Sequence, residues 1–341
     1  MEALSPYLPQ IWLCLIAFFL LYYVATDGSD LGIGIISLLA PNDRERGLLM
    51  ETIGSVWHGH QTWLVLLGGM LFGAFPVFYA VLLSSLYIPM VCMLVGLALR
   101  GVSFEFRARA ASKGVWSLSF GIGSLITAAA QGFALGGLLG GLDLQSGRFA
   151  GHIWNWLDPF SVLVAIGVIV GYTMLGASYL ILKTAGPIQD KSYRFARAAA
   201  WLTLAVAVGV HIWVTLRYPF ALEKWSGSSA LSGLLALLLL ALVAFVMYAH
   251  SLRGGKEAAP FIWNVLLILF SFAALSVSLY PNMIPNLAPQ ALTVEEAAAS
   301  SSTLAFMLVA MAVLLPVILA YTTMTYRIFR GKIGSEGQPG P

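Results

Sequence analysis

The chain has 341 residues, 59% of them hydrophobic and only 10% charged, and 18 Lys and Arg against 15 Asp and Glu give it a net charge of +3. Soluble domains carry about 25% charged residues, and a water-soluble fold of this size has no means of hiding so much apolar surface, so lipid must solvate much of the molecule. No run of Lys and Arg marks a nucleic-acid partner, and Cys14 and Cys92, set far apart in apolar runs, make neither a disulfide framework nor a metal site and read as buried apolar thiols.

The first ten residues, MEALSPYLPQ, hold no Lys or Arg. A signal peptide starts on a basic segment, so the first apolar run is expected to remain as a membrane helix. A spanning helix takes about 20 mostly apolar residues. Nine stretches qualify, near 9–39, 52–73, 78–100, 115–140, 160–183, 196–217, 229–251, 259–280 and 302–327. The connections are too short to hold a soluble domain. The expected fold is therefore all-α, a single integral membrane domain over residues 1–341 built as a bundle of about nine transmembrane helices.

The first helix carries TDGSDLGIG at 26–34. Asp27 and Asp30 are three residues apart and share a helix face, and charges at membrane depth are costly enough to be functional candidates by default. The second helix opens on VWHGHQTWL at 56–64. His58 and His60 lie about 9–12 Å into it, a depth close to that of the two acids, and histidine titrates near neutral pH. The two stretches together read as a proton inlet. The blander alternatives are a capping or ion-pairing role for the acids and satisfied polar contacts for the histidines. His58 and His60 point roughly 200° apart on a helix, so they do not share one metal ion.

Arg100, Glu105 and Arg107 lie around the end of the third helix and read as an ion-pair group at the membrane surface. In the fourth helix Ser124, Ala128, Gly132, Gly136 and Gly140 recur every four residues, a stripe of small side chains that lets another helix approach closely. Trp154 and Trp156 suit an interfacial belt. His152, His211 and His250 fall near helix ends and read as structural. The Pro-rich stretch between the eighth and ninth helices, with Glu295 and Glu296, reads as an ordered cap or a loop.

Orientation follows from the basic residues. Arg148, Arg217 and Lys224 apart, every Lys and Arg lies in a connection that follows an odd-numbered helix. The expected topology has the N-terminus outside and the C-terminus in the cytoplasm, which places Asp27, Asp30, His58 and His60 in the cytoplasmic half of the membrane.

TDGSDLGIG at 26–34, the frame of Trp57, Gly59, Gln61 and Trp63, FGAFPVFYA at 72–80, LRGVSFEFR at 99–107, LDPFSVL at 157–163, LGASYL at 175–180 and the long stretch at 301–332 occur in this order along the whole chain. In these motifs the sequence resembles subunit II of the cytochrome bd-type quinol oxidases of bacterial cytoplasmic membranes. The resemblance implies an aerobic respiratory enzyme that oxidises quinol and reduces dioxygen to water, drawing protons from the cytoplasm. It implies a partner, subunit I, that holds haem b and haem d, or haem b in place of d. It allows for a small single-helix subunit, a bound quinone and lipid contacts, and it implies no metal ligand in this chain. Carried over by position, Asp30, Trp57 and residue 58 match the family's proton-route residues. The family's usual pattern at 58–60 is acid, Gly, Asn, where this chain has His58, Gly59 and His60, and its usual Trp-Asp-Ala before the last helix reads Val294-Glu295-Glu296-Ala297 here. These departures suggest a divergent branch, in which either a histidine takes up the relay, Asp30 and His58 acting together, or the inlet lies elsewhere. The competing classes are a secondary transporter, compatible with the Asp27–Gly28 break but lacking a second copy of the motif, and a non-catalytic membrane scaffold.

Overall fold

The structure, a computed structural model, describes residues 2–145, 147–217, 230–285, 291–329 and 331–333. Lys224 and Arg330, both used in the orientation argument, lie outside the described residues, as does part of the Pro-rich stretch. The helices are α1 (Leu8–Leu38), α2 (Asp43–Glu51), α3 (Trp57–Ala74), α4 (Pro76–Ser85), α5 (Tyr87–Arg109), α6 (Lys113–Leu139), α7 (Pro159–Lys183), α8 (Pro187–Arg217), α9 (Ala230–Ser251), α10 (Ala259–Leu279), α11 (Val294–Ala297) and α12 (Ser301–Ile328). Eight of these are each long and apolar enough to cross a membrane, and α3 with α4 makes up to a ninth span.

The largest departure from the sequence reading lies in that ninth span. The 118° bend between α3 and α4 falls in the gap expected between 73 and 78, but an unbroken helix from 78 to 100 is expected and the chain turns again at Leu86, so that α4 and α5 are separate helices. Pro76 accounts for the first bend. A residue before proline is pushed out of the helical region, and Phe75 sits at φ −132°, ψ 64°. Apolar residues run through the second break, at Leu86, so they give no sign of it. The second expected helix starts later, at Trp57 rather than near 52, after a turn over 52–56. α8 starts earlier, at Pro187, because the polar turns holding Asp190, Lys191 and Arg194 continue the helix beyond the apolar run.

α1 is the hub of the bundle. It packs against α3, α6 and α7, while α5 lies on α6, α7 on α8, and α9 on α10. Its middle, Thr26 to Gly34, is buried throughout. Closeness there comes from glycine. A Cβ on Gly32 would strike the carbonyl oxygen of Tyr172, and one on Gly176 of α7 would reach 2.6 Å from the Gly32 carbonyl carbon. Backbones touching at this range leave no side chain to move aside. Gly32→Ala should therefore cost about 1–3 kcal/mol through overpacking, read as a lowered thermal midpoint of the purified protein. Gly59→Ala, where a Cβ meets nothing within 4 Å, is the control.

The small-residue stripe of α6 faces the same junction. Ser124 lies against Gly34 of α1, Gly132 against Ala165 and Gly136 against Ser161 of α7, Ala128 is packed with Leu31 and Tyr172, and Gly140 ends the helix beside Asp158. The thiols of Cys14 and Cys92 are exposed on the surface of the chain rather than buried, their helices turning those positions toward the surroundings.

One end of the bundle is covered by the segment before α12. β1 (Asn282–Ile284) pairs antiparallel with β2 (Leu292–Thr293), and α11 follows at once. Thr293 and Glu296 form a capping box on α11. The Thr293 backbone and hydroxyl, donating to Glu296, hold that carboxyl below its usual range. Trp12, fully buried near the start of α1, donates from Nε1 to the Leu304 carbonyl at 3.0 Å, and the Ala299 amide donates to Ala74 O at 2.9 Å. At the opposite end the tail returns to α7, with Lys183 Nζ donating to Phe329 O at 2.8 Å and the Ile333 amide donating to Lys183 O at 2.8 Å. Lys332 pairs with Glu257 there and, with Gln189, holds that carboxyl below its usual range.

Candidate functional site

Asp27 and Asp30 lie about 4.5 Å apart along α1, and each has a different basic partner. Arg100, from α5, donates from Nη2 to Asp27 Oδ1 in an ion pair whose two side chains have no exposed surface. His60, from α3, places Nδ1 2.8 Å from Asp30 Oδ2. The other ring nitrogen, Nε2, lies 2.7 Å from the Tyr326 hydroxyl of α12. Three helices thus converge on Asp30 through one imidazole. Burying an ionised group alone costs far more than burying a paired one, which is why both acids sit opposite a cation or an imidazole.

Helical periodicity explains the selection. His58 and His60 differ by roughly 200° around α3, so one faces inward and the other outward. His60 is inward and buried; His58 is exposed and stacks on Trp57, their ring centroids 3.6 Å apart. Trp57 is itself buried and stacks on Phe104 of α5 at 4.9 Å, so it fixes the start of α3 against α5. Trp63, one turn beyond His60, fills the space among Phe18, Phe19 and Tyr22 of α1. Two tryptophans bracketing His60 hold the imidazole against α1.

The expected grouping of Arg100, Glu105 and Arg107 is divided. Positions 100 and 107 differ by only about 20° around a helix, whereas 105 is about 140° from 100. Arg100 and Arg107 accordingly face the same way, Arg100 toward Asp27 and Arg107 toward Asp43 at 3.2 Å, with Arg107 Nε donating to Ser117 Oγ at 2.8 Å. Glu105 is exposed and forms no ion pair among the described residues.

Several participants were not singled out by the sequence reading. Tyr326 is one. Toward the other end of α1, Tyr172 donates to Gln131 Oε1 at 2.6 Å, and Gln131 Nε2 donates to the Tyr23 hydroxyl at 2.7 Å. Tyr23 stands one helical turn before Asp27, so polar groups continue along the interior from Tyr326 to Tyr172. Asp27 Oδ2, Asp30 Oδ1, Arg100 Nε and Nη1 and Tyr179 Oη are buried with no hydrogen-bond partner from the protein. Each acid therefore keeps one carboxyl oxygen available for a proton or a water. Tyrosine hydroxyls at membrane depth leave no trace in hydropathy, and only the i, i+4 spacing of Tyr23 and Asp27 hinted at this continuation.

The five histidines divide into one buried and four exposed. His60 commits both ring nitrogens to Asp30 and Tyr326, and His58, His152, His211 and His250 lie on the outer surface of the chain. Among the described residues no cluster of His, Cys, Asp and Glu has the geometry of a metal site.

A family model described as cytochrome bd terminal oxidase subunit II matches residues 8–329. Cytochrome bd-I ubiquinol oxidase subunit 2 of Escherichia coli (strain K12) is 28% identical over 363 aligned residues, covering 96% of this chain and 95% of its own. Cytochrome bd ubiquinol oxidase subunit 2 of Bacillus subtilis (strain 168) is 27% identical, covering 96% and 98%. The fold matches a chain in the structure of bd oxidase from Geobacillus thermodenitrificans, with a TM-score of 0.79 and 20% identity over 95% of this chain and 98% of that one. A match running from the first residue of α1 to the residue after α12 leaves no helix unaccounted for, and the chain belongs to the cytochrome bd terminal oxidase subunit II family.

Proposed function

We propose that this chain is the second subunit of a bd-type quinol:oxygen oxidoreductase in a bacterial cytoplasmic membrane. It pairs within the bilayer with a haem-bearing subunit I and supports the proton supply for dioxygen reduction. The observation that carries the reading is the buried array of Asp30, His60 and Tyr326 beside the Asp27–Arg100 pair, in a chain of this family. Haem b, with haem d or a further haem b, supplies electrons and the dioxygen site when bound in the partner. A bound quinone and a small single-helix subunit complete the proposed assembly.

This chain's own residues hold and move protons. With the N-terminus outside, as the distribution of Lys and Arg supports, the array lies in the cytoplasmic half of the membrane. His60 accepts a proton at Nε2 from the Tyr326 side and releases one from Nδ1 to Asp30 Oδ2. Rotation of the protonated carboxyl brings that proton to the side of Oδ1, which has no protein partner, and from there it passes onward. Arg100 pairs with Asp27 beside the relay. Exposed His58 stands two residues before His60, at the outer surface of α3, where a proton arriving from the partner interface or the cytoplasm first meets a titratable group.

The test is purification of the chain from native membranes through an affinity tag. It should bring down a second multi-pass polypeptide, and reduced-minus-oxidised spectra of the preparation should show haem bands. A colourless preparation without a mate, active in moving a solute or in nothing measurable, would overturn this reading in favour of a transporter or a scaffold.

A further inference from the structure

A cavity of about 370 Å³ lies where the C-terminal end of α1, the short helix α2 and the first turns of α8 meet. Its walls have two chemistries. Ile36, Leu39, Ala40, Leu49, Ile188 and Phe195 supply apolar surface, and Lys191, Arg194, Ser192 and Glu45 supply the polar part. Lys191 Nζ is paired with Glu45 Oε2 at 2.6 Å, and Ser192 Oγ donates to Ile188 O at 2.8 Å. Arg194 has no hydrogen bond or ion pair among the described residues, although Asp190 stands one turn before it on α8. The pocket therefore carries a guanidinium whose charge no carboxylate answers, directly above apolar walls.

We propose that this pocket binds one anionic phospholipid, its phosphate on Arg194 and Lys191 and an acyl chain along Ile36, Leu39 and Phe195. Both connections that build it, α1 to α2 and α7 to α8, belong to the basic face of the chain, where anionic headgroups attract Lys and Arg. Leu39 is 65% exposed at the mouth, which suits an acyl chain entering from the side. The shared chemistry is a phosphate, and a free phosphate has no use for six apolar wall residues. A neutral quinone ring has no use for an unanswered guanidinium. Arginine presents a planar fork that matches two phosphate oxygens. Glu45 opposes the ligand: by holding Lys191 it keeps the site from gaining a second free cation. The inference rests on the membrane orientation proposed above and not on the proton array.

The experiment uses the intact complex in mild detergent, supplied with phosphatidylglycerol or with phosphatidylcholine of equal chain length, and counts retained lipids by native mass spectrometry. The wild type should keep one phosphatidylglycerol that phosphatidylcholine does not replace and that inorganic phosphate does not displace. Lys191→Gln with Arg194→Gln should lose that one lipid. Glu45→Gln should release it more slowly than wild type, because Lys191 is freed. Arg253→Gln with Lys256→Gln, on another connection, should retain the wild-type number. Haem content, measured on every sample, reports separately on assembly, so a complex that keeps its haem and loses only the lipid is the supporting result. Equal lipid counts in wild type and the Lys191/Arg194 variant, displacement by inorganic phosphate, or identical release from Glu45→Gln each overturn the proposal.

Discussion

Arg100→Leu should be among the most damaging single substitutions in this chain, lowering stability by about 3–5 kcal/mol. The change removes the cation that, among the described residues, pairs with Asp27, and both side chains are without exposed surface. The carboxylate is then left charged among apolar helices, or must take up a proton. Asp27→Leu leaves the opposite charge stranded and should cost a similar amount. The double variant Asp27→Leu with Arg100→Leu removes both charges and replaces them with apolar volume, and buried pairs replaced in this way are often nearly neutral. It should recover most of the loss. Thermal unfolding of the purified complex gives all four corners of the cycle. Arg107→Gln breaks the half-exposed pair with Asp43 and should cost no more than about 1 kcal/mol, which sets the scale for an ordinary surface pair. If Arg100→Leu behaves like Arg107→Gln, then α1 and α5 are not held together by this ion pair.

Much of the architecture was legible because the membrane constrains it. Apolar runs of spanning length predict helices whatever their neighbours, and the resulting segments for α1, α6, α7, α9, α10 and α12 lie close to those of the structure. Where the reading departs, a local break hides inside an apolar run, as at Leu86. The candidate site was legible in its residues and less so in its pairings. Asp27 and Asp30 stand out because charge is costly in lipid, and an arginine from another helix was one of the roles open to them. Which arginine depends on tertiary packing. Arg100 and Glu105 look like neighbours in sequence and point to different sides of α5. The 200° separation of His58 and His60 shows that only one faces α1, but not which. The tryptophans at 57 and 63 carry the signal that could have decided it, since a buried aromatic stripe through 57, 60 and 63 places His60 inside. Tyr326 was invisible for a different reason: a tyrosine in the last helix is apolar enough to pass as part of the span, and only the fold brings it to His60.

His60→Ala should slow dioxygen reduction by about 10- to 100-fold, at the lower end of what a positioned proton-transfer group supplies, with haem content unchanged. Among the described residues the imidazole is the one group hydrogen-bonded to both Asp30 of α1 and Tyr326 of α12, and without it that bridge is lost. Asp30→Asn should lower turnover comparably, because the amide keeps the shape and cannot carry the proton. Tyr326→Phe removes one hydroxyl and should have a smaller effect. His58→Ala tests whether the exposed ring is needed at the outer surface. The sequence reading gave the relay to His58, whereas the contact with Asp30 belongs to His60, so the His60 variant should be the slower of the two. A structural role alone would also make His60→Ala weaker, and two readouts separate the cases. Added imidazole should restore part of the rate to a true relay variant, and the pH dependence of its turnover should differ from that of the wild type. The family's usual acid, Gly, Asn pattern supplies a further arm: His60→Asn alone should be slow, and His58→Asp with His60→Asn should regain turnover by returning the proton-carrying group to position 58. Full turnover in His60→Ala, with no change in its pH profile, would mean that the proton reaches the partner's oxygen site by a path that does not pass through this imidazole.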